Sequence, residues 1–120
     1  MLQKGWRLVK DKEIKKAYST RLRARTDFTN LYLSKTLKPN FQLLVVVSKK
    51  IYKKANKRNR IKRKIESVFE KLKFEGRLPA GIACIVQVRD KQILLQSPIQ
   101  INKSIMPSIS KLYNKAQSKK

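Results

Sequence analysis

Basic residues are concentrated in one short stretch of this chain, where seven of the eleven residues from 53 to 63 carry a positive charge. They are Lys53, Lys54, Lys57, Arg58, Arg60, Lys62 and Arg63. Guanidinium and ammonium groups form charge-assisted hydrogen bonds with phosphate, and clusters this dense are typical of proteins that bind polyanions. The stretch therefore predicts a phosphate-binding surface. The alternative is that the charges only solvate the exposed face of a surface helix.

Hydrolytic chemistry has few candidate residues in this sequence. The chain has no histidine and seven acidic residues, whereas a protein nuclease needs clustered carboxylates for metal ions or a credible general acid and base. Glu66 and Glu70 form an i, i+4 pair on a predicted helix, and their basic neighbours make them candidate surface ion-pair partners. We therefore expect the chain to bind its target without cleaving it alone.

Three aromatic residues are candidates for stacking on nucleic-acid bases. Single-stranded nucleic acid is held by aromatic side chains beside a basic groove. Tyr18, Phe28 and Tyr32 lie on predicted elements that could share an exposed sheet face. Ordinary core positions are the alternative, and for Phe28 that alternative is at least as good.

The composition describes a folded and very basic domain. Lysine plus arginine number 31 against 7 acidic residues, for a formal charge of +24, so self-repulsion favours an acidic partner. Hydrophobic residues make up 41% of the chain, which argues against a disordered basic tail. The single cysteine, Cys84, excludes a disulfide framework and, with no histidine present, a Cys/His zinc site; its apolar neighbours predict a core position.

Neither a membrane partner nor a small-molecule ligand is expected. No stretch approaches the roughly 20 apolar residues of a membrane span, and the first 16 residues lack the apolar core of a signal peptide. Cysteine usage fits a reducing compartment. The expected location is the cytoplasm.

Periodicity and turn signals predict the elements that position these residues. They are helix 11–19, strands near 21–25, 28–34 and 41–48, helix 54–74, strand 82–88 and helix 105–116. The run from 41 to 48 is interpreted as a central strand, and Pro98 limits any strand in 91–101 to a sheet edge. Pro107 is placed in the first turn of the last helix. The order predicts a small mixed sheet with helices packed mainly on one side.

The long helix carries the basic stretch at its beginning. Ile61, Ile65, Val68 and Leu72 recur at helical spacing and define a buried stripe, with Phe69 on its edge. Cations at a helix N-terminus are unfavourable by a few tenths to about 1 kcal/mol each, because the macrodipole is already positive there. A bound anion reverses this sign, which favours a phosphate-bearing partner.

Arg21, Arg23 and Arg25 alternate with apolar residues, so a strand places the three guanidinium groups on one side. The alternative is an edge strand whose charges block pairing with other sheets.

Two motifs together resemble the signature of the bacterial ribonuclease P protein subunit. They are Ser48-Lys49-Lys50-Ile51 and Arg58-Asn59-Arg60-Ile61-Lys62-Arg63, which runs on to Ile65 and Phe69. The resemblance implies an α+β fold of order αβββαβα with a left-handed crossover. It also implies a non-catalytic protein bound to a catalytic RNA that removes the 5′ leader of precursor tRNA, with Mg²⁺ held mainly by the RNA.

Roles at particular positions follow from the resemblance together with the charge and aromatic patterns; the resemblance itself implies RNA contacts at Arg58, Asn59, Arg60, Lys62 and Arg63 and places Lys50, Ile14, Tyr18 and Tyr32 at or near the leader. Contacts with the catalytic RNA are expected from Lys49, Lys50, Lys53, Lys54, Lys57, Arg58, Asn59, Arg60, Lys62 and Arg63. Contacts with the leader are expected from Ile14, Tyr18, Phe28, Tyr32 and Arg89. Residues 1–115 are predicted to form a single RNA-binding domain and residues 116–120 a flexible basic tail. A ribosomal or ribosome-associated RNA-binding protein is the alternative, and a nonspecific DNA-binding protein has only the charge in its favour.

Overall fold

The computed structural model describes residues 11–19, 22–26, 28–35, 41–76, 78 and 81–118, with only the backbone described for 11–13 and 116–118. Within these ranges the chain forms three α-helices, four strands and one short 3-10 helix. They are α1 (Asp11–Tyr18), β1 (Leu22–Arg25), β2 (Thr29–Lys35), β3 (Gln42–Val46), α2 (Ala55–Phe74), β4 (Ile82–Val88), the 3-10 helix (Lys91–Leu95) and α3 (Pro98–Ser118). The predicted α+β fold and its order αβββαβα are confirmed. The N-terminal segment 1–10 lies outside the described residues.

The four strands form one mixed sheet in the order β1-β2-β4-β3. β2 pairs antiparallel with β1 and β4, whereas β3 pairs parallel with β4 across the α2 connection. The prediction of a central strand at 41–48 is therefore wrong, since β3 lies at the edge. Its apolar run arises because helices cover both faces: Leu43 and Val45 pack in the core beneath α2, while Leu44 and Val46 pack on the α1 side. An apolar run therefore does not show whether a strand lies in the centre or at the edge of its sheet.

The main core lies between the sheet and helices α2 and α3. All five residues predicted for the buried stripe of α2 are buried, and Phe69, which was placed on its edge, is fully inaccessible. Its ring stacks on Phe41, with centroids 5.8 Å apart and planes at 18°. Cys84 is a free, buried thiol in the same core, as predicted.

Helix α1 covers part of the opposite sheet face. Ala17 is buried against Ala83 and Ile85, and a ring of half-buried side chains surrounds this contact. The ring consists of Ile14, Tyr18, Tyr32, Leu44 and Val46. Two of the three helices thus pack on one face, as the sequence predicted, and the third leaves much of its own face open.

Helix α3 begins earlier than its periodicity predicts. Gln100 N–H donates to Ser97 Oγ at 3.2 Å, and Ser97 N–H donates to Gln100 Oε1 at 2.9 Å. This reciprocal cap starts the helix at Pro98, a residue that suits a first helical position. The predicted start at 105 is therefore wrong, and Pro107 lies inside the helix and not in its first turn.

The segment from 91 to 101 contains no strand; it is the 3-10 helix followed by the first turn of α3. At the other end α3 continues to Ser118, three residues into the segment predicted as a tail. Among the described residues, no helix combines the length and apolar character that crossing a membrane requires.

Candidate nucleic-acid interface

The N-terminus of α2 is open and surrounded by cations. Lys54 is the N-cap residue, with extended backbone (φ −77°, ψ 127°) and no side-chain hydrogen bond to the helix. The first turn contains no acidic residue. The first N–H groups of a helix have no intrahelical acceptor, so here they lie unsatisfied beside positive side chains. An anion placed there would meet N–H donors and cations at once.

The residues predicted to contact RNA lie in the segment between β3 and α2 or in the first half of α2. Eight of them are exposed and two, Arg58 and Lys62, are half-buried. The exposed ones are Lys49, Lys50, Lys53, Lys54, Lys57, Asn59, Arg60 and Arg63. No described carboxylate forms an ion pair with Arg58, Arg60 or Arg63. We call this set of ten residues the basic surface.

Acidic neighbours do not neutralise the basic surface. Glu66 was predicted to be an ion-pair partner, but it forms no ion pair with a described basic side chain. Lys57 forms a cation–π contact, since its Nζ lies 5.2 Å from the ring centroid of Tyr52. Lys64 has a structural role: its Nζ donates to the backbone oxygen of Leu94 at 2.6 Å and ties α2 to the 3-10 helix. The positive charge of the basic surface is therefore available to a partner.

A second candidate surface is the open sheet face beside α1. Strand register places Arg23 opposite Tyr32, and Tyr32 opposite Ile85 on β4. The neighbouring row runs from Arg25 through Asn30 to Gln87, and ends at Val46 on β3. Directly opposed side chains lie on one face of a sheet. We call this face the cleft; it is bounded by arginines on β1, by apolar side chains on β3 and by α1.

Two tyrosines meet in the cleft. The rings of Tyr18 on α1 and Tyr32 on β2 pack edge to face, with centroids 5.1 Å apart and planes at 62°. Burial, and secondarily the neighbouring phenol of Tyr32, raises the pKa of Tyr18, so its hydroxyl stays protonated at neutral pH. Both residues are half-buried, which leaves ring surface for a ligand.

A depression of about 320 Å³ adjoins Tyr32 on the β1 side. Its lining includes Arg23, Arg25 and Asn30, and both arginines are exposed. The sequence placed these guanidinium groups on one side of a strand, and the structure adds that this side carries Tyr32. Arg21, the third arginine of that prediction, lies outside the described residues.

Phe28 does not share the cleft with the tyrosines. It packs against the main core on the opposite sheet face and lines a small cavity with Ile93, Ile101 and Ile105. The physical reason is the turn before β2, where Thr29 N–H donates to Thr26 Oγ1 at 3.2 Å. Strand alternation starts at Thr29, so it does not fix the side on which Phe28 lies.

Arg89 and Ile14 border the cleft in different ways. The Arg89 guanidinium donates from Nη2 to the backbone oxygen of Thr26, and the backbone N–H of Arg89 donates to the backbone oxygen of Phe28 at 2.8 Å. Arg89 therefore braces the turn between β1 and β2. Ile14 is half-buried in the cluster beneath α1.

Sequence reasoning missed the polar residues in the floor of the cleft. Asn30 and Gln87 lie opposite each other there, and the available signal was a single polar residue in the apolar run of β4. No group of three or more His, Cys, Asp or Glu that could hold a metal ion occurs in the described part of the chain. The two surfaces thus offer charge, stacking and hydrogen bonds, which are the means of binding RNA.

Comparisons with known proteins bear on the family and the fold of this chain. The family model described as Ribonuclease P matches residues 2–116. The solved structure of the RNase P protein of Staphylococcus aureus is similar, with a TM-score of 0.70 and 23% identity over 88% of this chain and 93% of that one. The RNase P protein of Thermotoga maritima gives a TM-score of 0.72 and 20% identity over 84% of this chain and 92% of that one. No curated protein matches the sequence.

Proposed function

Since this chain belongs to the ribonuclease P protein family, we propose that it assists a catalytic RNA in removing the 5′ leader from precursor tRNA. In this proposal the protein binds both the catalytic RNA and the leader, and the cleavage itself is carried out by the RNA. The observation that carries it is the uncapped N-terminus of α2, where exposed cations have no described carboxylate as ion-pair partner. The proposed place of action is the cytoplasm.

The basic surface is the proposed contact with the catalytic RNA. Its side chains surround free N–H groups, so phosphate oxygens would receive charge-assisted hydrogen bonds and the favourable end of the helix dipole together. Each cation that neutralises a phosphate releases a counterion, and binding should weaken steeply with salt. A folded protein with a formal charge of +24 also gains stability from such a partner.

The cleft is the proposed contact with the single-stranded leader. Arg23 and Arg25 supply positive charge along one edge, and Tyr18 and Tyr32 supply rings on which bases can stack. Arg89 supports the turn that carries one side of the cleft, so its expected role in leader binding is indirect. Phe28 lies on the other sheet face, and we do not assign it to the leader.

Magnesium ions are proposed to belong to the RNA. The described residues offer no carboxylate cluster for a metal ion, so they do not fit a protein-held magnesium site. The protein's own part is to bind and orient the two RNA molecules.

The cleft is tested by comparing precursor tRNA with mature tRNA. In the complex with catalytic RNA, Tyr32→Ala should lower affinity for leader-bearing precursor by about 5- to 150-fold, which corresponds to about 1–3 kcal/mol for one stacked base. Affinity for mature tRNA should be unchanged. Tyr113→Ala on α3 is the matched control, because Tyr113 packs against the main core on the other face. Equal losses for precursor and mature tRNA would contradict leader binding in the cleft.

The ribosomal alternative is tested by co-purification. A tagged chain should bring down one RNA of a few hundred nucleotides that survives a high-salt wash. Recovery with ribosomal subunits instead would favour the alternative.

A further inference from the structure

Gln87 is the one polar residue of strand β4, whose sequence is otherwise apolar. It is half-buried, while the other six residues of the strand are buried. The register places it between Asn30 on β2 and Val46 on β3, in the middle of the cleft. An amide in such a position needs hydrogen-bond partners, because a polar group removed from water without them is costly.

The carbonyl end of this amide is already occupied. Tyr32 Oη donates to Gln87 Oε1 at 3.2 Å, and Asn30 Nδ2 donates to the same oxygen at 3.5 Å. An amide oxygen has two acceptor sites, so both are used. With both neighbours donating to the oxygen, the amino group of Gln87 faces away from them.

The amino end of the amide has no partner among the described residues. It carries two N–H donors and is not buried away from solvent. Because the oxygen accepts from Tyr32 and Asn30 in this arrangement, Nε2 is the end of the amide that is left to donate to a ligand. The floor of the cleft thus presents a hydrogen-bond donor.

We propose that Gln87 reads one leader nucleotide by donating from Nε2 to an acceptor atom on the edge of its base. The acceptor is a carbonyl oxygen or an unprotonated ring nitrogen. This inference rests on the proposed function, since it names the chemistry by which the same cleft selects its RNA.

The dimensions of the sheet agree with this assignment. Arg25 and Gln87 lie two strands apart in one row, which is about 10 Å at the usual strand spacing. That span is comparable with the reach of a nucleotide from its phosphate to the edge of its base. A phosphate at Arg25 would place its base over Asn30 and Gln87, with the apolar side chain of Val46 beyond it.

The ring of Tyr32 connects stacking with base reading. Its hydroxyl holds Gln87 Oε1 while its ring packs against Tyr18. Tyr32→Phe should keep the stacking surface and release the amide. This variant should therefore keep its affinity for the leader and lose its discrimination between bases.

The test uses the reconstituted complex of full-length protein and catalytic RNA. Its substrates are precursor tRNAs in which single leader nucleotides carry deaza bases, where C–H replaces one ring nitrogen, or one of the four natural bases. With the wild-type protein, loss of one acceptor at one leader position should weaken binding about 3- to 10-fold, the range of a neutral hydrogen bond. Gln87→Met has similar length and no donor, and it should abolish this difference. Gln92→Met, on the exposed 3-10 helix, is the matched control and should retain it.

The outcomes separate the two proposals. If the leader strengthens binding but no position responds to acceptor loss in the wild-type complex, base reading by Gln87 is refuted and leader binding stands. Base reading by Gln87 is also refuted, and leader binding also stands, if Gln87→Met and Tyr32→Phe both discriminate between leader bases as the wild type does. If the leader adds no affinity at all, the proposed function of the cleft fails, and base reading fails with it. The wild-type measurement requires no variant to fold.

Discussion

Replacing Lys54 by aspartate should make the protein more stable and a poorer RNA binder. Lys54 is the N-cap of α2, with extended backbone, no side-chain hydrogen bond to the helix and no acid in the turn that follows. Aspartate is among the best N-cap residues, because its carboxylate accepts from the free N–H groups of the first turn. Lysine at the same position offers no acceptor and adds charge of the wrong sign for the dipole.

The expected gain in stability combines two effects. A good N-cap contributes about 1 kcal/mol, and reversal of the charge beside the helix dipole contributes about 0.3–1 kcal/mol more. For a domain of this size, 1 kcal/mol corresponds to roughly 3–5 °C in Tm. Lys54→Asp should therefore raise Tm by several degrees, measured by circular dichroism without RNA.

The same substitution should weaken RNA binding. It removes one cation from the basic surface and places an anion where phosphate is expected. The log–log dependence of affinity on salt should become shallower by about 1, the effect of one lost phosphate contact. Filter binding to the catalytic RNA across a salt series measures this slope.

Lys103→Asp is the control for net charge. Lys103 is exposed on α3, five residues after the helix starts at Pro98 and therefore beyond the first turn, to which the effect of the dipole is confined. It changes the charge of the chain by the same amount without adding a cap, so no comparable rise in Tm is expected. A Tm that falls with Lys54→Asp, or an unchanged salt slope, would refute the reasoning that this helix start is left open for an anion.

Three further predictions concern the basic surface and the core. Arg58→Ala and Arg60→Ala should each weaken binding of the catalytic RNA by about 1–3 kcal/mol, and unchanged dissociation constants would contradict their role. Phe69→Ala should lower the free energy of unfolding by about 3–5 kcal/mol in urea titrations, because the ring is fully buried on Phe41; a loss below about 1 kcal/mol would be inconsistent with that packing. Burial raises the pKa of the Cys84 thiol to about 12, from 9.0. The thiol ionises more readily in the unfolded chain, so the stability of the wild type relative to Cys84→Ala should be constant below about pH 9 and fall by about 1.4 kcal/mol per pH unit above it. Parallel stability curves for the two proteins between pH 8 and pH 11 would contradict this.

The sequence predicted those features that repeat along one element. The buried stripe of α2 could be predicted because five apolar residues recur at helical spacing. The basic surface could be predicted because its charged residues are close together in the sequence. The start of α3 carried a local signal as well, since Ser97 and Gln100 stand at the spacing of a capping box. That signal was missed, and Pro98 was interpreted only as limiting any strand in 91–101 to a sheet edge.

Features that depend on the pairing of strands distant in sequence could not be predicted from such local patterns. The cleft joins Arg25, Asn30 and Gln87 from three strands, and only the register brings them together. The edge position of β3 was hidden for the same reason, because one of its faces is buried beneath α2 and the other is half-buried beside α1. The prediction that Phe28 shares a sheet face with the tyrosines was wrong because the hydrogen bonds of the preceding turn interrupt the strand alternation before Thr29.

Cleavage of precursor tRNA at low magnesium tests the central claim most directly. Three reactions are compared: the protein alone, the catalytic RNA alone, and the two together across a protein titration. The protein alone should leave the precursor intact, and adding it to the RNA should accelerate removal of the 5′ leader. Cleavage by the purified protein without RNA, or no acceleration at any protein concentration, would contradict the claim that this chain binds RNA so that RNA can cut.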